Sequence, residues 1–155
     1  MKRFYSLSLI LAIIATAIFS SCSSRADNSG EATSSTVVLL DGVQQSWDGA
    51  ELIDYPTGKP SITMLKITVP PNCSLPQHYH PVINVGYMLE GELTVTDDKG
   101  NVTTIAAGEP LVETVNTIHY GANRGETDAV ILVFYAGEVD GSITNITDTY
   151  PGESN

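Results

Sequence analysis

A series of short strand-like runs, each closed by turn residues, most constrains what this chain can fold into. Runs rich in β-branched and apolar residues occupy positions 61–69, 82–89, 93–96, 102–105, 111–115 and 129–135. Prolines, glycines or an Asp-Asp-Lys-Gly-Asn sequence separate them, as expected of strands joined by tight turns. No amphipathic helix pattern follows residue 21. We therefore predict an all-β sandwich or barrel, with the continuously apolar run 129–135 as a central strand.

The N-terminus has the features of an export signal. Lys2 and Arg3 precede an apolar stretch over residues 7–19, which is short for a membrane span and ends in Ser20-Ser21-Cys22. Small residues directly before a cysteine resemble the lipobox of bacterial lipoproteins, so we expect residues 1–21 to be a lipoprotein signal peptide and Cys22 to be acylated. The alternative is an ordinary secretory signal with Cys22 as a bystander. Ser23 is not the aspartate that resembles an inner-membrane retention signal. We therefore expect an exported, membrane-anchored lipoprotein on the outer-membrane or periplasmic side.

Composition divides the remainder into a tether, one domain and a tail. Residues 22–36 are rich in Ser and Thr and nearly lack apolar side chains, which predicts a flexible tether. We place the folded domain at 37–146 and a C-terminal tail at 147–155. Removing Lys2 and Arg3 from the seven basic residues leaves five against eighteen acidic ones, a net charge of about −13. Such a surface argues against nucleic acid as a partner. Cys73 is either a buried small hydrophobe, which we favour, or a free thiol near the histidines.

The chain has three histidines, His78, His80 and His119. Residues two apart on a strand point to one face, so His78 and His80 can present both rings to one point. The same parity places Asn84, Gly86 and Met88 on that face. His119 follows a separate turn and can close the site from a neighbouring strand. Neutral imidazole ligates zinc, iron, nickel and copper. The alternative is a pair of surface histidines at a strand edge.

The wider pattern over residues 60–136 resembles the two sequence motifs of the cupin family. His78, His80 and Gly91 match the first motif, and Gly108, His119 and Asn123 match the second. The chain departs from the motifs at four positions, which are Asn72, Asn84, Thr114 and Asn116. Asn72 and Asn116 replace glycines, and asparagine adopts the left-handed conformation that glycine usually supplies. The resemblance implies a double-stranded β-helix, or jelly-roll barrel, holding a divalent transition metal (iron, manganese, nickel, copper or zinc).

The fourth departure, Asn84, stands where the cupin motif has a glutamate ligand. Three neutral imidazoles alone would leave the ion its full 2+ charge and a more acidic bound water. Asn84 is expected to act either as a fourth ligand through its amide oxygen or as a residue that holds a bound water. Glu113 is the carboxylate of the second-motif strand that can serve as a catalytic base, although we favour a solvated strand residue there.

Two functions of different class follow from this resemblance. One is a metal-dependent, dioxygenase-like enzyme acting on a small organic molecule. The other is a non-catalytic protein that binds a sugar-like or anionic small ligand, since cupins host both kinds of activity. The resemblance also implies a homodimer formed through the barrel faces. Trp47, which precedes the first motif, is expected at the barrel rim or at a dimer contact.

Overall fold

The structure, a computed structural model, describes residues 35–147. That part of the chain contains nine strands and no helix: β1 (Pro60–Val69), β2 (His78–Tyr79), β3 (Asn84–Glu90), β4 (Glu92–Asp97), β5 (Val102–Ala106), β6 (Pro110–Val112), β7 (His119–Ala122), β8 (Ala129–Glu138) and β9 (Asn145–Ile146). The predicted signal peptide, Cys22, almost all of the tether and most of the tail lie outside the described residues. Within 35–147 no helix is long and apolar enough to cross a membrane.

The strands form two antiparallel sheets with the jelly-roll arrangement predicted from the sequence. One sheet has the order β1-β8-β3-β6 and the other the order β5-β4-β7-β2-β9. Strand β8 pairs along its whole length with β1 and on its other side with β3, so the continuously apolar run is a central strand, as predicted. Its residues Ile131, Val133 and Tyr135 are buried in the core between the sheets.

Alternation along β3 fixes which of its side chains enter the barrel. Asn84, Gly86 and Met88 are buried, whereas Val85 and Tyr87 are only half-buried. This confirms the parity predicted from the histidine pair, because a strand sends every second side chain to the same face. The inward face of β3 therefore carries an amide, a glycine and a thioether, and no charged group.

Two of the asparagines that depart from the cupin motifs adopt the backbone conformation of the glycines they replace. Asn72 has φ of 57° and Asn116 has φ of 56°, both in the left-handed region. Asn72 lies in the turn after β1, where the Cys73 amide donates to the Pro70 carbonyl. The prediction that Cys73 is a buried hydrophobe is wrong, since this turn leaves its side chain exposed and free.

Trp47 packs half-buried against the core, and its backbone N–H donates to the carbonyl of Val112 at the end of β6. This contact joins the segment of Trp47 to the end of β6, and a position at the barrel rim stays a prediction. Its part in a dimer stays a prediction.

Gly91, the closing glycine of the first motif, is required by both conformation and space. It has φ of 69° in the turn between β3 and β4, and a Cβ there would lie 2.5 Å from the carbonyl oxygen of Asp128. Gly100, in the next turn, has a similar φ of 87° but has nothing within 4 Å of an added Cβ. Substitutions at the two glycines therefore distinguish the cost of backbone strain from the cost of steric overlap.

We predict that Gly91→Ala destabilises the domain far more than Gly100→Ala. The Gly100 variant carries only the left-handed strain of an alanine, about 1 kcal/mol. The Gly91 variant must also displace a backbone carbonyl, for a total of roughly 3 kcal/mol. Urea unfolding of the two variants measures the difference, and equal destabilisation would show that the packing of Gly91 against Asp128 is not a constraint.

Candidate functional site

The register of the second sheet brings the three histidines together. His78 on β2 pairs directly with His119 on β7, and directly opposed residues share one face of a sheet. His80 lies two residues further on and forms an isolated bridge with Val115. The ring centroids of the three imidazoles are 4.6–5.1 Å apart. His80 and His119 are 2% exposed, so the interpretation as surface histidines is wrong.

Glu113 joins the three histidines. Its Oε2 atom lies 3.1 Å from Nε2 of His80 and 3.1 Å from Nε2 of His119. One nitrogen or oxygen atom from each of these four residues can be chosen so that all lie within 4.8 Å of one another. The interpretation of Glu113 as a solvated strand residue is wrong, because the side chain is buried inside the barrel.

Pairing between β3 and the end of β6 explains why Glu113 points inward. Val85 pairs with Val112, and the N–H of Glu113 donates to the carbonyl of Asn84. Glu113, the residue directly after β6, therefore lies across from Asn84 and shares its inward face. Side chains at directly opposed positions have Cβ atoms about 5 Å apart. The carboxylate is thus supplied across the strand pair, and the expectation of a site with three neutral imidazoles and no charge is wrong.

Asn84 lies on this inward face, fully buried. Its Nδ2 donates to the carbonyl of Val82 over a long 3.5 Å, and its Oδ1 has no hydrogen-bond partner among the described residues. A buried acceptor without a donor is costly, and a bound water or ion is a usual partner for one. Whether Asn84 ligates a metal or holds a water stays a prediction.

Each imidazole ring makes a hydrogen bond through its Nδ1 atom to a backbone carbonyl. A ring nitrogen that faces a carbonyl must carry the proton, which leaves the opposite nitrogen with a free lone pair. The three carbonyl partners lie at 2.7–2.8 Å and belong to Pro76 for His78, Ile143 for His80 and Thr117 for His119. The Nε2 atoms are therefore the ones available for a shared ligand, and the rings are held in place before any ligand arrives.

The contacts of Glu113 with Nε2 require a positive species in the site. A carboxylate oxygen and an unprotonated imidazole nitrogen are both acceptors, so they repel at 3.1 Å unless a proton or a cation lies with them. Neighbouring ligands at right angles on a transition ion, with bonds of about 2.1 Å, are about 3.0 Å apart. Three imidazole nitrogens and one carboxylate oxygen are also a donor set that divalent transition metals accept. The residues fit such an ion.

Burial and the neighbouring charges shift the pKa values of these groups in different directions. Burial lowers the pKa of His78 to about 4, against an opposing contribution from the Pro76 carbonyl. Burial raises the pKa of Glu113, but hydrogen bonds from His119 and His80 outweigh it and bring the pKa to about 2. Burial lowers the pKa of His119, but Glu113 outweighs it and the net shift is upward. Of the three rings, His119 is therefore the one whose positive charge the Glu113 carboxylate favours.

Two cavities adjoin the cluster. The inner one, about 30 Å³, touches all three histidines and Glu113. The outer one, about 300 Å³, we call the mouth pocket. Both cavities share Ile67, Leu75, His78, His80 and Tyr135 as lining residues. The apolar walls of the mouth pocket are Leu65, Ile67, Leu75, Pro76, Ile143 and Ile146.

Sequence reasoning missed two contributors to this site. Tyr135 is 3% exposed, and its ring centroid lies 5.3 Å from that of His80. Burial, with the nearby Glu113 charge, raises the pKa of Tyr135 to about 12. The inward parity of β8, shared with Ile131 and Val133, was a signal for it. The second contributor is the segment around Ile143 and Thr144, for which the sequence offers no local signal.

Comparisons with known proteins show what this domain resembles. Residues 65–135 match the family model described as "Cupin domain". Oxalate oxidase 1 of Hordeum vulgare is 27% identical over 134 residues, covering 81% of this chain and 62% of that protein. Germin-like protein subfamily 2 member 2 of Arabidopsis thaliana is 30% identical over 98 residues, covering 60% of this chain and 45% of that protein. The chain thus spans less than two thirds of the length of these curated relatives.

A solved structure agrees with the fold. An uncharacterized conserved protein with a double-stranded β-helix domain from Klebsiella pneumoniae superposes with a TM-score of 0.50 at 17% identity. The alignment covers 63% of this chain and 92% of that chain. At this identity the likeness concerns the fold alone, and it agrees with the jelly-roll arrangement of the two sheets.

We predict that metal uptake releases the proton held by His119. At pH 6.5, which lies below the raised pKa of His119, Zn²⁺ binding should release protons, and the release should fall as the pH rises through that pKa. Glu113→Gln removes the charge that raises this pKa, so its release at pH 6.5 should be smaller. Calorimetry in two buffers of different ionisation enthalpy measures the proton count.

The exposed Glu126 supplies the control, because Glu126→Gln removes the same charge outside the cluster. It should release protons as the unaltered chain does. Proton release that is independent of pH, or identical in the Glu113 and Glu126 variants, would contradict a proton shared between His119 and Glu113.

Proposed function

Because residues 65–135 match the cupin domain model, we propose that the chain binds one divalent transition metal ion through His78, His80, His119 and Glu113. The observation that carries this proposal is the cluster of three imidazoles and one buried carboxylate, whose ligand atoms lie within 4.8 Å of one another while every Nδ1 atom is already engaged by the backbone. The candidate ions are iron, manganese, nickel, copper and zinc, since all accept imidazole and carboxylate ligands.

We propose that the site acts on a small organic molecule by dioxygenase-like chemistry. A bound ion supplies Lewis acidity and, when it is redox-active, one-electron chemistry. Glu113 contributes one negative charge, and the carbonyls of Pro76, Thr117 and Ile143 hold the rings in orientation. The apolar walls of the mouth pocket displace part of the water around the bound molecule. Support for an oxidative reaction comes from the names of the barley and wheat relatives, which are oxalate oxidases.

The scarcity of acid–base groups bears on the type of reaction. Among the described residues that line the two cavities, only Glu113 has a carboxylate. That carboxylate lies between His80 and His119. Tyr135, with a pKa of about 12, stays protonated at neutral pH and is a proton donor rather than a base. This favours chemistry carried by the ion over chemistry that needs a free protein base.

The same scarcity favours a second candidate function, the non-catalytic capture of a sugar-like or anionic ligand. Binding needs a shaped pocket and a charged centre, and it needs no base. The two functions differ in turnover. An enzyme of the proposed class consumes oxygen with its substrate, whereas a binding protein does not.

We further propose that the domain is exported and tethered to the outer-membrane side through lipidated Cys22, and that it forms a homodimer. The sequence before residue 35 supports the anchor, through the apolar stretch that ends at Ser20-Ser21-Cys22. Acyl chains on one residue add membrane affinity with each buried CH₂ group. The strongly acidic composition supports a small-molecule partner rather than nucleic acid.

Metal content tests the proposed function most simply. The purified chain should contain about one transition ion per molecule by elemental analysis, or take up one on titration after chelation. His78→Ala combined with His80→Ala should lose the ion, because two of the four ligands are gone. A native protein that holds no transition metal and regains none would overturn the metal site. For a loaded protein, oxygen uptake with a panel of flavonols, diketones and thiols separates the enzyme from the binding protein.

The anchor has a separate test. Cys22→Ala removes the only sulfur that a lipoprotein signal would acylate, so the protein should move from the membrane fraction to the soluble fraction of its host. Cys73→Ala is the matched control, since it removes the exposed thiol of the domain and should leave the distribution unchanged. Membrane association that persists in Cys22→Ala would contradict lipidation at this residue.

A further inference from the structure

We infer that the ligand of this site is a small monoanion with an apolar body, whose charged oxygen lies at the metal and whose body fills the mouth pocket. This assignment rests on the proposed metal function and narrows its substrate class. Three features of the cavities carry it: the chemistry of the walls, the charge of the site and the position of the few polar groups.

The walls of the mouth pocket are apolar and come from three separate parts of the chain. Strand β1 contributes Leu65 and Ile67, the segment before β2 contributes Leu75 and Pro76, and the C-terminal segment contributes Ile143 and Ile146. At about 300 Å³ the pocket is at the small end of ligand sites in proteins. An apolar body of several carbon atoms gains free energy by displacing water from such walls.

The charge of the site selects a single negative group. A divalent ion with one carboxylate, Glu113, carries a net charge of about +1, which one anionic oxygen group neutralises. No lysine or arginine is among the described residues that line the two cavities. A second anionic group on the ligand would therefore lack a cationic side chain in a low-dielectric pocket, which is unfavourable. A compact dianion such as oxalate would also leave the apolar walls uncovered.

The polar groups mark which end of the pocket receives the charged head. Oγ1 of Thr144 lies 3.1 Å from Nδ1 of His80, and the ring centroid of Tyr135 lies 5.3 Å from that of His80. Both hydroxyl residues therefore lie close to the histidine cluster. The remaining lining of the mouth pocket is apolar apart from His78 and His80. A ligand with one polar end and one apolar end fits this distribution, with the polar end innermost.

A chain-length series tests the assignment. The full-length, metal-loaded chain is titrated calorimetrically with acetate, butyrate and hexanoate, and with oxalate and hexanol as comparisons. Each methylene buried should tighten binding by up to about fourfold. Because the pocket is open to solvent, hexanoate is expected to bind at least tenfold more tightly than acetate or oxalate. In the Co²⁺-loaded chain, hexanoate should shift the visible absorption spectrum and hexanol should not.

A matched pair of variants distinguishes an effect on the mouth pocket from an effect of changing any exposed leucine. Leu65 lines the pocket and is 38% exposed, whereas Leu89 lies outside both cavities and is 40% exposed. Leu65→Ser should reduce the preference for hexanoate over acetate at least threefold without changing metal content. Leu89→Ser should leave the preference as it is.

The outcomes distinguish this assignment from the function on which it rests. A fully metal-loaded protein with no dependence on chain length, or with oxalate bound more tightly than hexanoate, would overturn the assignment alone. Absence of metal uptake would overturn the proposed function and the assignment with it. An equal effect of Leu65→Ser and Leu89→Ser would show that the apolar body does not lie in the mouth pocket.

Discussion

The contact of the Glu113 carboxylate with the imidazoles of His80 and His119 is the interaction on which the site depends. Two acceptors face each other at 3.1 Å inside the barrel, so the site is stable only with a proton or a cation among them. The second sheet brings the histidines into register, and the first sheet supplies the carboxylate. The packing of the two sheets therefore determines whether the carboxylate and the histidines meet.

The carboxylate of the cluster comes from Glu113 and not from residue 84, where the cupin motif has a glutamate. Asn84 occupies the motif position, and Glu113, directly after β6, lies across from it with the same inward face. Positions paired across antiparallel strands are neighbours in space although 29 residues separate these two in the chain. The cluster thus combines three imidazoles with one carboxylate although residue 84 is an amide.

Local pattern predicted much of this structure and failed where distant segments meet. The strand runs, the shared face of His78 and His80, and the left-handed asparagines all follow from the residues nearby. Glu113 was misjudged because its direction depends on the register between β3 and β6, which no local pattern specifies. The wall formed by Ile143 was missed for a similar reason, since its carbonyl reaches a histidine 63 residues away.

The most direct measurement of the central claim is the metal affinity of a carboxylate exchange, determined by competition with a chromophoric chelator. Glu113→Gln should weaken Zn²⁺ binding by about tenfold or more, because a charged ligand becomes a neutral amide. Adding Asn84→Glu to that variant should restore most of the affinity, since the carboxylate returns to the same face from the opposite strand. Unchanged affinity in Glu113→Gln would contradict the account, because the carboxylate would then not belong to the metal site.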